Sequence, residues 1–154
     1  CANAGVVGVS TRDGAILWET TDWRISIATV PSPLVLDNGR IFLSGGYNAG
    51  SLMLQVSKEG ERFGVKTLFK LAPETFGATQ HTPIFYGGHI YGVRPDGKFI
   101  CLDLDGKTVW TSDSGQQFGR GKRFLNELDG LIAFHPEAIV VAGHIENRDA
   151  RIDA

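Results

Sequence analysis

One short pattern occurs twice in this chain of 154 residues, and its spacing limits the possible folds more than any other feature. The segment DGAILW at residues 13–18 returns as DGKTVW at residues 105–110. The turn glycines Gly14 and Gly106 lie 92 positions apart, and Gly60 stands midway between them. This period near 46 residues predicts a repeat architecture, in which each unit buries its apolar faces against its neighbours.

Short strand-like stretches flank each of these turns. They are rich in β-branched and aromatic residues and are bounded by glycine or aspartate, which is typical of β-hairpins. The bulky residue after the turn is Trp18 in the first copy and Trp110 in the last, and Phe69 is the nearest candidate in the middle copy. We expect these aromatic side chains to lie on an outer strand and to cover apolar surface between units.

A second kind of hairpin precedes the two later copies. Residues 32–46 and 82–94 both begin with Ser/Thr-Pro and continue with a short apolar strand, a tight turn and an aromatic strand. Two hairpins together give four antiparallel strands in about 45 residues. The sequence therefore predicts an all-β fold, a β-propeller of four-stranded antiparallel blades, with about two full blades plus partial ones in an incomplete ring. The alternative is a plain β-sandwich with two chance hairpins.

These repeats resemble the pyrroloquinoline-quinone (PQQ) type of propeller repeat. The matching segments are VSTRDGAILW at 9–18, LDLDGKTVW at 102–110, and the hairpins TPIFYGGHIYGVRPDGKFICLDL at 82–104. The family includes quinoprotein alcohol dehydrogenases, BamB-like outer-membrane assembly lipoproteins, and envelope proteins that carry the repeat without a known cofactor. The resemblance implies quinoprotein-like propeller blades over residues 1–121 and a location in the periplasm or cell envelope.

The tail matches the repeat only loosely, and two interpretations are open for it. In the first, residues 122–154 are a diverged or truncated further blade, with a turn at Gly130 and strands at 131–134 and 138–145. In the second, part of the tail is helical, because five apolar residues follow a helical spacing: Phe124, Leu125, Leu128, Leu131 and Ile132. The strand interpretation is favoured.

The resemblance does not bring the quinone cofactor with it. Quinoprotein dehydrogenases resemble one another in a pair of adjacent cysteines, a calcium held by Glu and Asn, and an aspartate base. The two cysteines here, Cys1 and Cys101, are far apart, and no acid or asparagine maps onto that calcium site. We therefore expect no catalytic, cofactor-binding or metal-binding residue. The alternative function is a fragment of a PQQ-dependent alcohol or sugar dehydrogenase whose catalytic residues lie outside this stretch.

Composition narrows the function classes further. The formal charge of −2 and the scattered Lys and Arg residues disfavour a nucleic-acid partner, and no apolar run is long enough to span a bilayer. None of the histidines stands at a ligand spacing from another: His81, His89, His135 and His144. Cys1 fits either an acylated lipoprotein start or an arbitrary cut, and the cut is favoured. A self-assembling lipoprotein anchored through Cys1 is a third possible function.

Propeller topology indicates where a binding surface would lie. The loop that enters the Pro-led, innermost strand approaches the central channel, and it carries Gln80 and His81 in one unit and Thr29 and Val30 in the preceding one. Arg94 stands in the following hairpin turn. We expect His81 and Arg94 to contact a protein or small ligand. The sequence thus favours a non-catalytic binding or scaffold module, completed by neighbouring blades from the rest of the chain or from other subunits.

Overall fold

The computed structural model describes residues 5–112, 118, 131–135 and 138–142, and within them the chain is all-β and antiparallel. Sheet I contains β1 (Val6–Val9) and β2 (Ile16–Thr20). Sheet II contains β3 (Leu34–Val35), β4 (Arg40–Gly45), β5 (Gly50–Glu59) and β6 (Arg62–Leu71). Sheet III contains β7 (Ile84–Tyr86), β8 (His89–Val93), β9 (Phe99–Leu102) and β10 (Thr108–Thr111). Sheet IV contains β11 (Leu131–His135) and β12 (Ala138–Ala142).

Sheets II and III are four-stranded units of the predicted kind within the described residues, and the number of blades and the incompleteness of the ring stay predictions. In both sheets the strands pair in chain order, from a short strand that follows a Ser/Thr-Pro pair to the strand that carries the bulky aromatic residue. Sheet I supplies the equivalents of the third and fourth strands. A short 3-10 turn at Asp37–Gly39 joins β3 to β4, and the described residues contain no helix that could cross a membrane.

Sheet II is covered on both faces. Alternate side chains of its central strands point to opposite sides, and each side packs against a neighbouring sheet. Leu43, Leu52 and Leu54 face sheet I in a buried cluster with Val6 and Trp18. On the other side a second cluster joins sheet II to sheet III, and its buried members are Leu36, Phe42, Met53, Phe76, Ala78, Ile90, Ile100 and Leu102. A two-layer sandwich would leave one face of each sheet in solvent, so the stacked sheets contradict that alternative.

The same irregularity recurs in the outer strand pair of sheets I, II and III. Trp18 pairs with Gly8, Phe69 with Met53, and Trp110 with Cys101. In each case the ladder skips the residue just before the aromatic, and these skipped residues are Leu17, Leu68 and Val109. A bulge of this kind bends the outer strand and increases its twist. Phe69 is therefore the structural counterpart of the two tryptophans.

The middle unit differs in the length of its outer hairpin. Gly60 precedes Phe69 by nine positions, whereas Gly14 and Gly106 precede their tryptophans by four. All three glycines adopt a positive φ, of 59°, 75° and 81° respectively, as tight turns require. The β6 side of the hairpin thus gains five positions and the β5 side, from Met53 to Gly60, gains two over the equivalent stretch from Cys101 to Gly106; β5 and β6 reach 10 residues each. We call the projecting part of this hairpin, residues 55–66, the arm.

The outer-strand aromatics lie between sheets, as expected, in the first two units. Trp18 packs against the cluster between sheets I and II. The Phe69 ring lies against Gly106 of sheet III. Trp110 lies beside Tyr91 and Phe99 on the far face of sheet III and is 43% exposed.

The tail is extended where the structure describes it. Strands β11 and β12 pair in register from Leu131 with Ala142 to His135 with Ala138. The helical interpretation is therefore wrong at Leu131 and Ile132, because an antiparallel ladder holds their backbone. The remaining residues of that pattern, and Gly130, Cys1 and His144, lie outside the described residues, and the division of the chain at residue 121 stays a prediction.

Candidate binding face

Antiparallel pairing brings the two predicted binding residues to the same end of the sheets. The chain enters β7 beside the end of β8, because Ile84 pairs with Tyr91. The loops that join one sheet to the next therefore lie next to the turns between the second and third strands of each sheet. We call this surface the connection end, and it consists of residues 21–33, 46–49, 72–83 and 94–98. The opposite, hairpin end carries the repeated glycine turns.

His81 is an internal hydrogen-bond acceptor at this end. The backbone N–H of Val93 donates to His81 Nε2 at 2.9 Å. The ring lies over the adjacent backbone, since a Cβ built on Gly92 would come within 3.2 Å of the same nitrogen. Burial lowers the pKa of His81 to about 4, so the imidazole is neutral at pH 7. His81 thus holds the backbone at Val93, the residue before Arg94. Direct contact of His81 with a ligand stays a prediction.

Arg94 is held in one position at the surface. Its Nη2 lies 3.0 Å from Asp96 Oδ2, and its side chain is 25% exposed. The turn is closed by two backbone hydrogen bonds between Arg94 and Lys98 and between Gly97 and Arg94. Within the described part of the chain, Arg94 Nε is buried without a hydrogen-bond partner. A cation fixed in this way can meet an incoming carboxylate without losing rotamer freedom.

Two buried hydroxyl groups anchor the second connection. Ser51 Oγ donates to the backbone oxygen of Phe76 at 2.9 Å, and Ser44 Oγ accepts from the N–H of Ala78 at 2.8 Å. The two hydroxyls lie 3.1 Å apart. Buried networks whose members are all hydrogen-bonded fix one backbone conformation, so the loop that leads to His81 is rigid.

The first connection is the most open part of this end. Ile27 is 68% exposed and Val30 is 51% exposed, although both side chains are apolar. The backbone of residues 24–30 makes no hydrogen bond within the described residues. Ser32 ties its far end to the second connection by donating its N–H to Thr82 Oγ1 at 3.0 Å. Unpaired backbone groups and exposed β-branched side chains together provide a surface for an extended chain.

A strained tyrosine lies at the neighbouring turn. Tyr47 and Asn48 have φ values of 54° and 66°, and the N–H of Ala49 donates to the oxygen of Gly46 at 3.1 Å. A left-handed conformation costs a residue with a Cβ about 1–2 kcal/mol. Thr79 of the second connection packs against Gly46 of this turn and leaves no room for a Cβ there, so it fixes the position of the turn. Tyr47 therefore stands at the tip with 47% of its surface exposed.

Sequence reasoning found part of this end and missed the rest. It identified Val30 from the position of its loop, but it did not identify Ile27 or Tyr47. The run RISIATV at 24–30 was the available signal, because four of its seven residues are β-branched and it lies between a turn and a Pro-led strand. The buried loop residues Trp23 and Phe76, which wedge between successive sheets, gave no periodic signal.

The described residues do not fit a quinone and calcium site. Cys101 is buried, and its neighbours in sequence are Ile100 and Leu102, so it does not form a pair of adjacent cysteines. Among the described residues, no three His, Cys, Asp or Glu side chains lie close enough together to hold a metal ion. That the chain holds no cofactor stays a prediction.

Consecutive four-stranded antiparallel sheets, stacked face to face with an aromatic wedge at each junction, define a propeller-type repeat protein. The family model described as outer membrane protein assembly factor BamB matches residues 1–112. The chain belongs to this family of PQQ-like repeat proteins. Among curated proteins, none matches the chain.

Proposed function

We propose that this chain is a non-catalytic binding and scaffold module, part of a quinoprotein-like β-propeller of the bacterial cell envelope, and that its connection end binds a protein partner. The observation that carries the proposal is the exposed apolar connection at 24–30 beside the strained Tyr47. The family description, an outer membrane protein assembly factor, supports a periplasmic location and a protein as partner.

The energetics of the connection end favour association. Burial of an exposed Ile or Val side chain contributes about 1.5–3 kcal/mol, and Tyr is among the residues enriched at interfaces. The backbone of residues 24–30 is also available to a partner. Rigid anchoring of the neighbouring second connection through Ser44 and Ser51 lowers the entropy lost where a partner also contacts that loop.

Arg94 gives this surface its polar specificity. We propose that Arg94, held by Asp96, pairs with a carboxylate of the partner, and that His81 maintains the backbone beneath it. Under this proposal the ring of blades acts as a frame, completed by neighbouring blades from the rest of the chain or from other subunits.

The test uses an outer-membrane β-barrel polypeptide, diluted from urea, as the binding probe for the full chain. Ile27→Ser together with Val30→Ser should raise Kd at least tenfold, because two apolar anchors are lost. The matched control is Ile16→Ser with Val109→Ser, which removes similarly exposed apolar side chains from the outer strands of sheets I and III. Equal weakening by both pairs would contradict the proposal.

The dehydrogenase alternative makes a separate prediction. Addition of PQQ and calcium to the purified protein should then give a bound quinone absorbance that survives gel filtration. Loss of the absorbance on gel filtration, with intact binding of the β-barrel probe, would support the scaffold.

A further inference from the structure

We propose that the outer edge of the arm, at residues 62–66, binds an acidic, extended polypeptide segment by strand pairing. This surface lies at the hairpin end, opposite the connection end, and it does not depend on the function proposed above. The arm is long, its outer edge pairs with no strand among the described residues, and strand β6 is basic.

The length of the arm is specific to sheet II. Strands β5 and β6 have 10 residues each, whereas β9 and β10 of sheet III have 4 each. The hairpin holds 15 residues between the paired Met53 and Phe69, against eight between Cys101 and Trp110, so each of its strands is longer by three to four residues, or roughly 12 Å. A two-stranded ribbon without a third strand is only marginally stable in water. An added strand would therefore stabilise the arm itself.

Strand β6 forms the edge of sheet II, and only its inner half is covered. At that half, Thr67 Oγ1 donates to Asp22 Oδ2 at 2.6 Å, and Lys70 pairs with Asp22 at 3.6 Å. These contacts come from the connection that follows sheet I. Within the described residues no strand pairs with the outer half at 62–66.

The turn of the hairpin determines which backbone groups of this half are available. A two-residue turn, Gly60 and Glu61, joins Glu59 to its partner Arg62, so this pair exchanges hydrogen bonds. Because bonded and non-bonded pairs alternate along an antiparallel ladder, the N–H and C=O groups of Phe63 and Val65 point outward. An incoming strand would bind to these groups.

The charge of the strand selects the partner. Strand β6 contains three cations, Arg62, Lys66 and Lys70, and no carboxylate. Two acids, Glu59 and Glu61, lie at the tip, so the arm carries three cations and two acids and a net charge of +1. Asp22 pairs with Lys70, whereas Arg62 and Lys66 form no ion pair among the described residues. Positions 62 and 66 lie on one face of the strand, and both side chains are exposed. Lysine on an edge strand opposes pairing with a second copy, while acidic side chains opposite these two cations favour pairing.

The probe is the peptide (Val-Glu)5-amide with fluorescein on its N-terminus in place of an acetyl group, titrated with the full chain and followed by fluorescence anisotropy. We expect saturable binding that is about tenfold weaker for the Phe63→Pro variant, because proline removes an outward N–H without removing a ladder bond. A peptide of the same sequence with N-methyl groups on alternate residues should bind at least tenfold more weakly to the unaltered protein.

Charge reversal tests the location. Arg62→Glu with Lys66→Glu should abolish binding of the acidic peptide and allow binding of acetyl-(Val-Lys)5-amide. The matched control is Arg12→Glu with Lys107→Glu, which makes the same charge change at exposed turns of sheets I and III. Equal loss in the control pair would overturn the assignment to the arm. If strand pairing is correct, the N-methylated peptide should not bind with equal affinity, and an oligonucleotide of the same charge should not compete equally. Equal affinity or equal competition would show that the peptide binds through general anion attraction and would overturn strand pairing.

Discussion

The ring of Phe69 lies against the turn glycine Gly106, so that a Cβ added to that glycine would stand 2.7 Å from Phe69 Cε2. The repeated turn of sheet III is therefore part of the contact with sheet II. Gly14 and Gly60, the same turn in the other two units, have no atom within 4 Å of such a Cβ. The three glycines share a left-handed backbone but differ in their surroundings.

Gly106→Ala should therefore destabilise the fold more than Gly14→Ala or Gly60→Ala. All three substitutions place a Cβ in the left-handed region, which costs about 1–2 kcal/mol. Only Gly106→Ala also forces the Phe69 ring to move, which adds about 1–3 kcal/mol. Urea unfolding of the three variants measures the difference. Equal losses would show that the Phe69 ring relaxes without cost.

Ser51→Ala tests the anchor of the second connection. The substitution removes the donor to the Phe76 carbonyl oxygen and leaves buried polar groups without a partner. We expect a loss of about 1–3 kcal/mol in the free energy of unfolding. Ser57→Ala, an exposed serine on the same strand, is the control and should change stability by less than about 0.5 kcal/mol. Similar losses in both variants would contradict the buried network.

The partly buried His81 predicts a loss of stability in mild acid. Its pKa is about 4 in the folded chain and 6.5 as an ordinary histidine, so the unfolded state takes up its proton first as the pH falls. Stability should fall between pH 6.5 and pH 4, by as much as about 3 kcal/mol if no other group compensates. At pH 7 both states are neutral and the effect is absent.

The His81→Gln variant isolates this contribution. Its free energy of unfolding should vary less with pH between 6.5 and 4 than that of the unaltered chain, as measured by urea titration at several pH values. The hydroxyls of Ser10 and Thr67 lower the pKa values of Asp13 and Asp22 respectively. The stability that these two carboxylates contribute to the fold is therefore lost only at more acidic pH. Identical pH profiles for the two proteins would refute the buried neutral imidazole.

The strands were predictable from sequence because their signals are local. Turn glycines and alternating apolar residues recur in each unit, and both depend only on neighbouring positions. The equivalence of Phe69 with the tryptophans was harder to establish, because the longer arm shifts it by five positions and the bulge before it depends on pairing. The burial of His81 was not predictable, since it results from the second connection folding over the backbone of β8.

The same distinction applies to the connection end. The loop positions followed from topology, so Val30 and Arg94 could be placed in advance. The left-handed backbone of Tyr47 adjoins tertiary contacts at Gly45 and Gly46, where Trp23 and Thr79 pack, and the exposure of Ile27 depends on how the first connection lies over the sheets. Glycines in the sequence GGYNAG indicate a turn, but they do not indicate which of its residues carries strain.

Tyr47→Asn should separate stability from binding at this end. Asparagine tolerates the left-handed region better than tyrosine, and the exposed ring forms no hydrogen bond within the described part of the chain. The free energy of unfolding should rise by about 0.5–1 kcal/mol. Affinity for the unfolded β-barrel probe should fall several-fold, because an aromatic contact is lost.

The control for Tyr47→Asn is Tyr86→Asn, which replaces another exposed tyrosine whose φ is not positive. We expect no gain in stability from this change and no loss of affinity, since Tyr86 lies at the hairpin end. Urea unfolding and probe titration of both variants give the comparison. A loss of stability in Tyr47→Asn would mean that packing of the ring outweighs the backbone strain. Unchanged affinity would remove Tyr47 from the binding surface and leave Ile27 and Val30 as its apolar contacts.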